Sequence, residues 1–222
     1  MPARTRRPLP WILVAAIGYR LMRGPAPSMA LCWLIMVDGY LRPGEACDLS
    51  TRQILPGISG TSMRKTAIHL NPDYYKKFSK TGELDESIVL HRLWLCKAVE
   101  AWAKTRASQV RLWPFLLPDL RREFMKVTAS LNLSFLSPVL YQGRHSGASL
   151  DRMENRLTLA EVQKRGRWRS SSSTNRYEKH ALLQEVLLKV GIKVRARSEA
   201  EARLLPGELA MRFAGTSNRK VR

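Results

Sequence analysis

The stretch that decides the fold is Tyr141–Ser149, with the sequence YQGRHSGAS, taken together with Gly166–Trp168 (GRW) and Thr174–Tyr177 (TNRY) downstream. These segments place an arginine, an indole and a phenol in one C-terminal block. A guanidinium offers a rigid fork of donors to a phosphodiester, an indole adds one N–H donor, and a tyrosine oxygen can be a covalent nucleophile. The combination indicates phosphoryl transfer without a metal ion.

The charge of the chain points to a polyanionic partner. Its 222 residues include 38 Lys and Arg against 18 Asp and Glu, which gives a formal net charge of +20. A hydrophobic content of 45% is typical of a folded domain rather than a disordered chain. A folded domain this basic favours nucleic acid as its partner, and an anionic membrane surface is the alternative.

The cysteines and histidines do not form a metal site. Cys32, Cys47 and Cys96 are widely spaced, without a Cys-x-x-Cys pair. They are predicted to be reduced, buried thiols of an intracellular protein. The four histidines also lack ligand spacing. We therefore expect no metal and no cofactor.

The N-terminus superficially resembles a signal peptide, because Arg4–Arg7 precedes an apolar run over residues 8–17. That run is too short to span a bilayer and is followed by Arg20 and Arg23. A first core helix is the favoured interpretation, and no membrane association is expected.

The motifs together resemble the catalytic domain of tyrosine recombinases, the phage-integrase family. That family's pattern is an early Arg, a Lys in a β-turn, His-x-x-Arg, His or Trp, and then Tyr. Gly39–Leu49 (GYLRPGEACDL) is similar to its Gly-x-Arg-x-x-Glu box, with Arg42 as the first arginine and Glu45 able to orient it. The resemblance covers roughly residues 8 to 190.

The spacing of the later motifs strengthens the resemblance. Trp168 lies 24 positions after Arg144, and Tyr177 lies nine positions after Trp168, both within the family's usual range. The β-turn lysine of the family is matched best by Lys80, in preference to Lys76 and Lys77, because Thr81–Gly82 offers turn chemistry.

Two departures from the family pattern stand out. Tyr141 occupies the position where the family usually has His, and a phenol with a pKa of about 10 donates a hydrogen bond but does not shuttle protons near neutrality. The segment before Arg42 is also short, so we expect a catalytic domain without the family's helical core-binding domain. His145 has two open interpretations, packing against its neighbours or contact with phosphate.

The resemblance implies a specific reaction. Tyr177 would attack a DNA phosphodiester, leaving a 3′-phosphotyrosyl link and a free 5′-hydroxyl that later reverses the step. Arg42 and Arg144 would stabilise the transition-state charge, Trp168 would add a neutral donor, and Lys80 would be the general acid. The resemblance further implies double-stranded DNA as the partner and self-assembly into a tetramer on DNA. It also implies a role in DNA recombination or integration, and a mobile element, for example of a eukaryote, as the origin of the chain.

The predicted fold is mainly α with a small antiparallel β-sheet, an α+β arrangement like that of the recombinase catalytic domain. Residues 1–7 are expected to be a basic tail, 8–191 the catalytic domain and 192–222 a basic C-terminal tail. Apolar spacing and turn signals predict helices and strands, and Thr158 with Glu161 matches a capping box that opens the helix at 158–166. The expected helices are 9–22, 28–41, 92–103, 119–131, 158–166 and one from Tyr177 to Gly191, the expected strands are 66–71 and 86–90, and 51–63 is expected to be a loop.

Several cations are candidates for contact with DNA phosphates. They lie on the polar face of the 119–131 helix and around the GRW motif, and they are Arg121, Arg122, Lys126, Lys164, Arg165, Arg167 and Arg169.

Alternatives to an active recombinase stay open. One is a catalytically inactive DNA-binding remnant of a recombinase, another is an activity like that of type IB topoisomerases, and a third is a basic membrane-surface protein. The expected location is intracellular, in the nucleus if the host is a eukaryote and in the cytoplasm or nucleoid otherwise.

Overall fold

A computed structural model describes residues 7–70, 86–108, 110–170 and 180–214. Within these ranges the chain forms nine α-helices and three short strands. The helices are α1 (Trp11–Met22), α2 (Ser28–Asp38), α3 (Pro43–Cys47), α4 (Leu93–Lys104), α5 (Leu117–Ser130), α6 (Gln142–Met153), α7 (Leu159–Gly166), α8 (His180–Lys189) and α9 (Ile192–Ala214). The strands are β1 (Ile54–Leu55), β2 (Ala67–Leu70) and β3 (Glu86–Val89).

The three strands form one antiparallel sheet in the order β1-β2-β3. Ile68 at its centre pairs with Ile54 on one side and Ile88 on the other, and all three are buried. Side chains directly opposite each other share a face of a sheet, so these isoleucines attach the sheet to the helical core. A mainly helical chain with a small antiparallel sheet was the predicted fold class, and it is confirmed.

Helix α2 is the centre of the core. All eleven of its residues are buried, and a helix that is apolar on every side is stable only when surrounded by other elements. It packs against α1, α4 and α6. Trp33 anchors it, because its ring contacts Phe124 at 5.1 Å between centroids and its indole N–H donates to the Val14 carbonyl at 3.0 Å.

The C-terminal segment was predicted to be a tail outside the fold, and this prediction is wrong for residues 192–214. Helix α9 packs along α1 and α4, with Leu205, Leu209 and Phe213 buried. These residues recur every four positions and so share one face of the helix. The high charge of the segment suggested an extended arm, but its apolar stripe is sufficient to bind the core.

The path of the chain around Arg42 also differs from the prediction. Helix α2 ends at Asp38 rather than continuing to residue 41, and Arg42 is the N-cap residue of the separate short helix α3. The predicted loop at 51–63 contains β1. Helix α7 begins as predicted, directly after Thr158, which forms a capping box with Glu161.

Candidate functional site

Arg144 lies at the centre of the candidate site. It projects from α6, is 1% exposed, and donates from Nη1 to the carbonyl of Tyr40 and from Nη2 to the carbonyl of Gly166. One guanidinium therefore joins α6 to the chain after α2 and to the end of α7. Its Nε is buried and has no hydrogen-bond partner among the described residues.

Two glycines on α6 allow Arg144 to come this close to α2. A Cβ on Gly147 would lie 1.9 Å from the carbonyl oxygen of Val37, and one on Gly143 would lie 2.9 Å from the ring of Trp33. Real Cβ atoms do not approach other atoms at such distances. The glycines of the YQGRHSGAS motif are therefore required for the close packing that brings Arg144 to the end of α2.

Trp168 covers the buried arginine. The guanidinium carbon of Arg144 lies 4.8 Å from the centroid of the indole ring, which also packs against the ring of Tyr40 at 6.1 Å. Gly166 leaves room for this arrangement, because a Cβ there would lie 1.8 Å from the indole. The aromatic cover excludes water from one face of the guanidinium and adds a cation–π contact.

The surroundings of Arg144 weaken its hold on its proton. Burial lowers the pKa of Arg144, the charges of Arg167 and Arg42 lower it as well, and Tyr141 and Glu45 act in the opposite direction, so that the net pKa is about 10. Burial disfavours the charged form, and so do neighbouring like charges. The guanidinium is still charged at neutral pH, and the charge of a bound anion would raise its pKa and so offset both effects.

Arg42 and Glu45 form the edge of the site on α3. Oε2 of Glu45 accepts the backbone N–H of Arg42 at 2.7 Å, and Oε1 accepts from the guanidinium of Arg42. The same carboxylate accepts Nη2 of Arg167 at 2.7 Å, while Nη1 of Arg167 lies 3.3 Å from Oε2 of Glu86 on β3. Glu45 therefore orients two arginines, where the sequence predicted one.

The acid–base state of Glu45 follows from these contacts. Burial acts to raise the pKa of Glu45, but Arg167, the backbone N–H of Arg42 and the Arg42 charge outweigh it, so the net shift is downward. Glu45 is then ionised at neutral pH. Among the described residues, the guanidinium groups of Arg42, Arg144 and Arg167 have Glu45 and Glu86 as their carboxylate neighbours, and this excess of positive charge suits an anionic ligand.

Tyr141 and His145 lie against each other at the start of α6. Their ring centroids are 5.0 Å apart with the planes at 63°, and both are half-buried. This edge-on contact is what the packing interpretation of His145 requires. A contact of either residue with phosphate stays a prediction.

The predicted DNA-binding cations fall into two groups. The exposed cations are Arg121, Arg122 and Lys126 on α5, and Lys164 and Arg169 near the site. Arg165 is instead half-buried, and the side chain of Arg167 is only 7% exposed. Arg165 donates to the backbone carbonyls of Asp38 and Val89, and Arg167 to Glu45 and Glu86. A groove of about 480 Å³ between β3 and α7 is lined by Lys164, Arg165 and Arg167.

Two predicted catalytic residues, Lys80 and Tyr177, lie outside the described residues, as do Lys76 and Lys77. The structure therefore brings together Arg42, Glu45, Arg144 and Trp168 from the predicted set. It adds Tyr40, Asp151 and Glu86, which the motifs did not identify. Tyr40 lies two positions before Arg42 in the sequence, and this position was the one sign that it belongs to the site. Nothing in the sequence showed that its carbonyl and its hydroxyl both face α6.

The described ranges contain no group of three or more His, Cys, Asp or Glu side chains placed to hold a metal ion. Among the helices of those same ranges, none combines the length and the apolar character needed to cross a bilayer. Cys32, Cys47 and Cys96 are buried free thiols.

Comparison with known proteins relates the fold to one class. No protein-family model matches the sequence, and no curated protein matches it. Among solved structures, the chain is similar to the crystal structure of XerA recombinase, with a TM-score of 0.56 and 14% sequence identity. The match covers 85% of this chain and 66% of the recombinase chain, so the protein spans just under two thirds of that structure's length. At this identity the likeness concerns architecture alone: the fold is similar to that of a tyrosine recombinase structure.

Proposed function

We propose that the protein cleaves and rejoins DNA in recombination or integration, through a 3′-phosphotyrosyl intermediate and without a metal. The observation that carries this proposal is the environment of Arg144, which lies under the Trp168 indole and close enough to Arg42 and Arg167 for their charges to lower its pKa. A buried cluster of positive charge of this kind matches the charge of a phosphodiester. The shared fold with XerA recombinase supports the same proposal.

In the proposed reaction, the oxygen of Tyr177 attacks the phosphorus and the bond to the 5′ oxygen breaks. Lys80 gives a proton to that leaving oxygen, and the 3′-phosphotyrosyl link stores the bond energy for the reverse step. The transition state carries negative charge on its non-bridging oxygens, so catalysis depends on positioning and on charge stabilisation. Arg42 and Arg144 supply that charge, Trp168 adds a donor, and Tyr141 donates a hydrogen bond in place of the family's histidine.

The proposed partner is double-stranded DNA. The exposed cations of α5 and of the chain around α7 would neutralise phosphates, and such contacts give affinity that depends on salt and little on sequence. Self-assembly on DNA, as a tetramer, and an intracellular location follow from the proposed reaction.

Trapping on a nicked suicide substrate tests the proposal, because loss of the leaving strand prevents religation. We expect a covalent protein–DNA band on a denaturing gel with the wild-type chain. Tyr177→Phe should remove the band, while the matched change Tyr19→Phe, in helix α1, should keep it. A band that survives in Tyr177→Phe would contradict the assignment of the nucleophile.

A second candidate function is DNA binding without cleavage, and the burial of Arg144 favours it. Two nitrogens of its guanidinium already donate to backbone carbonyls, and the residue is 1% exposed. An arginine held in this way could be purely structural. Salt-sensitive DNA binding by a folded wild-type chain that gives no covalent band would establish this alternative.

A further inference from the structure

Tyr40 has a backbone conformation that large side chains rarely adopt. Its φ is +50°, in the left-handed region, where a bulky residue is strained by about 1 kcal/mol or more. The other described non-glycine residues with positive φ are two asparagines, a serine and Arg167. Strain that persists in a folded protein must be held by the surrounding contacts.

The two large residues in this conformation, Tyr40 and Arg167, both lie at carbonyl groups that accept hydrogen bonds from Arg144. The carbonyl of Tyr40 itself accepts Nη1 of Arg144. The carbonyl that accepts Nη2 belongs to Gly166, directly before Arg167, whose φ is +52°. Both turns of the backbone therefore coincide with a carbonyl aimed at the same guanidinium.

The side chain of Tyr40 is attached to the helix that carries Arg144. Its ring is fully buried, and its hydroxyl donates to Oδ2 of Asp151. Asp151 lies seven positions after Arg144 on α6, which is two helical turns and hence the same face. Helix α6 thus contacts both ends of Tyr40, the carbonyl through Arg144 and the hydroxyl through Asp151.

The other contacts of Asp151 make this attachment firm. The carboxylate is 3% exposed, and its Oδ1 accepts from Arg156 at 2.8 Å, while Nδ1 of His91 lies 4.0 Å from its Oδ2. Burial, and then the nearby Asp151 charge, raise the pKa of Tyr40 above its ordinary value. The phenol therefore keeps its proton and remains a donor to the carboxylate.

We propose that Tyr40 is a positioning residue for Arg144: its hydrogen bond to Asp151 holds the strained turn, and the turn aims the Tyr40 carbonyl at the guanidinium. The role in catalysis rests on the proposed function. An arginine has five N–H donors, and the two carbonyls take one each from Nη1 and Nη2. With the fork fixed at two points, the remaining donors, including the unpartnered Nε, keep a fixed direction toward an incoming anion.

Tyr40→Phe removes only the hydroxyl and is the first variant to test. We expect the rate of covalent complex formation on the suicide substrate to fall about tenfold or more, with DNA affinity within about twofold of wild type. Tyr19→Phe is the matched control and should leave both values unchanged. A role in stability alone would not lower the cleavage rate of the folded, DNA-bound protein.

A second readout does not depend on cleavage. Phenylglyoxal modifies accessible guanidinium groups, and mass spectrometry of the digested full chain reports the modification of Arg144 relative to exposed Arg121. We expect Arg144 to be protected in the wild-type chain and to react several-fold faster in Tyr40→Phe. Unchanged Arg144 reactivity in a folded Tyr40→Phe protein would overturn the proposal, whatever the wild-type cleavage activity.

The rate of covalent complex formation tests the proposed function, and the Arg144 reactivity tests the role of Tyr40, so the two proposals can fail separately. If the wild-type chain forms no covalent complex, the proposed function fails, and the Arg144 reactivity still decides the role of Tyr40. If Tyr40→Phe does not fold, Asp151→Asn examines the same bond from α6, because a neutral amide oxygen accepts a weaker hydrogen bond than a carboxylate. Arg144 reactivity should then rise above the wild-type value, and an unchanged reactivity would overturn the proposal.

Discussion

Nη2 of Arg167 donates a hydrogen bond of 2.7 Å to Oε2 of Glu45, and this pair joins the end of α7 to α3. Only 7% of the Arg167 side chain is exposed. The same carboxylate also accepts from Arg42, so Glu45 links the two arginines. The pair therefore makes the geometry of Arg42 dependent on a residue more than a hundred positions away in the sequence.

Glu45→Gln should lower the free energy of unfolding at neutral pH by about 2 kcal/mol, because it removes one of the two carboxylates, Glu45 and Glu86, that hold buried Arg167. The pKa of Glu45 is depressed in the folded protein, so its ionised form stabilises the fold. This contribution is complete above the ordinary pKa near 4.5 and is lost as the pH falls through the folded value. Urea unfolding of both proteins at several pH values should show the difference between them shrinking toward acid.

The acidic exposed residue Asp48 offers a control for Glu45, since Asp48→Asn removes a carboxylate of similar charge at the surface. Its partner Arg111 is half exposed, and such pairs contribute little to stability. We expect less than about 0.5 kcal/mol for this variant. A Glu45→Gln protein with a pH-independent stability difference would contradict the depressed pKa.

Arg169→Ala and Arg167→Ala should affect DNA binding in different ways. Arg169 is exposed, so its loss should weaken binding uniformly across sequences and reduce the slope of log affinity against log salt by about 1 if it contacts a phosphate. Arg167 is occupied by Glu45 and Glu86. Its loss should lower the melting temperature and leave the salt slope unchanged, as fluorescence anisotropy at several salt concentrations would show. A reduced salt slope in Arg167→Ala would instead mean that this residue leaves its carboxylates to bind DNA.

The sequence was sufficient for the fold class. Apolar periodicity identified α1, α2, α4 and α5 within a few residues of their observed bounds, and the Thr158 capping box located the start of α7. These are local signals, set by neighbours along the chain. They place Trp168 just after a helix, but they did not predict helix α6, which carries Arg144, and they do not show what either residue contacts.

The contacts that the sequence did not reveal depend on packing between distant segments. Arg165 and Arg167 belong to a highly basic stretch that looks like a solvated DNA-binding surface, yet both donate to partners on β3, α3 or the end of α2. Helix α9 was missed for a related reason, since net charge outweighed an apolar stripe of only a few residues. In both cases the high charge of the segment predicted exposure to solvent. In the folded protein, carboxylates and carbonyls bind the two arginines, and α9 packs against α1 and α4.

Leu209→Ala tests whether α9 belongs to the core. Leu209 is fully buried, and truncation of a buried leucine costs about 2–5 kcal/mol because it removes apolar contacts and leaves a cavity. Met211 on the same helix is 71% exposed, so Met211→Ala should change stability by less than about 0.5 kcal/mol. Chemical denaturation of the full chain measures both. If both substitutions have equally small effects on stability, residues 192–214 do not form part of the core.

Gly166→Ala tests whether the packing of the Trp168 indole over Arg144 shields the guanidinium. A Cβ at this position would lie 1.8 Å from the indole, whereas a Cβ on Gly207 in α9 would meet nothing within 4 Å. Gly166→Ala should therefore displace the indole, expose Arg144 to phenylglyoxal and lower the rate of covalent trapping on the suicide substrate. Gly207→Ala should instead raise stability by about 0.5–1 kcal/mol, because it improves helix propensity without a clash. An unaltered Arg144 reactivity in folded Gly166→Ala would show that the indole is not what shields the guanidinium.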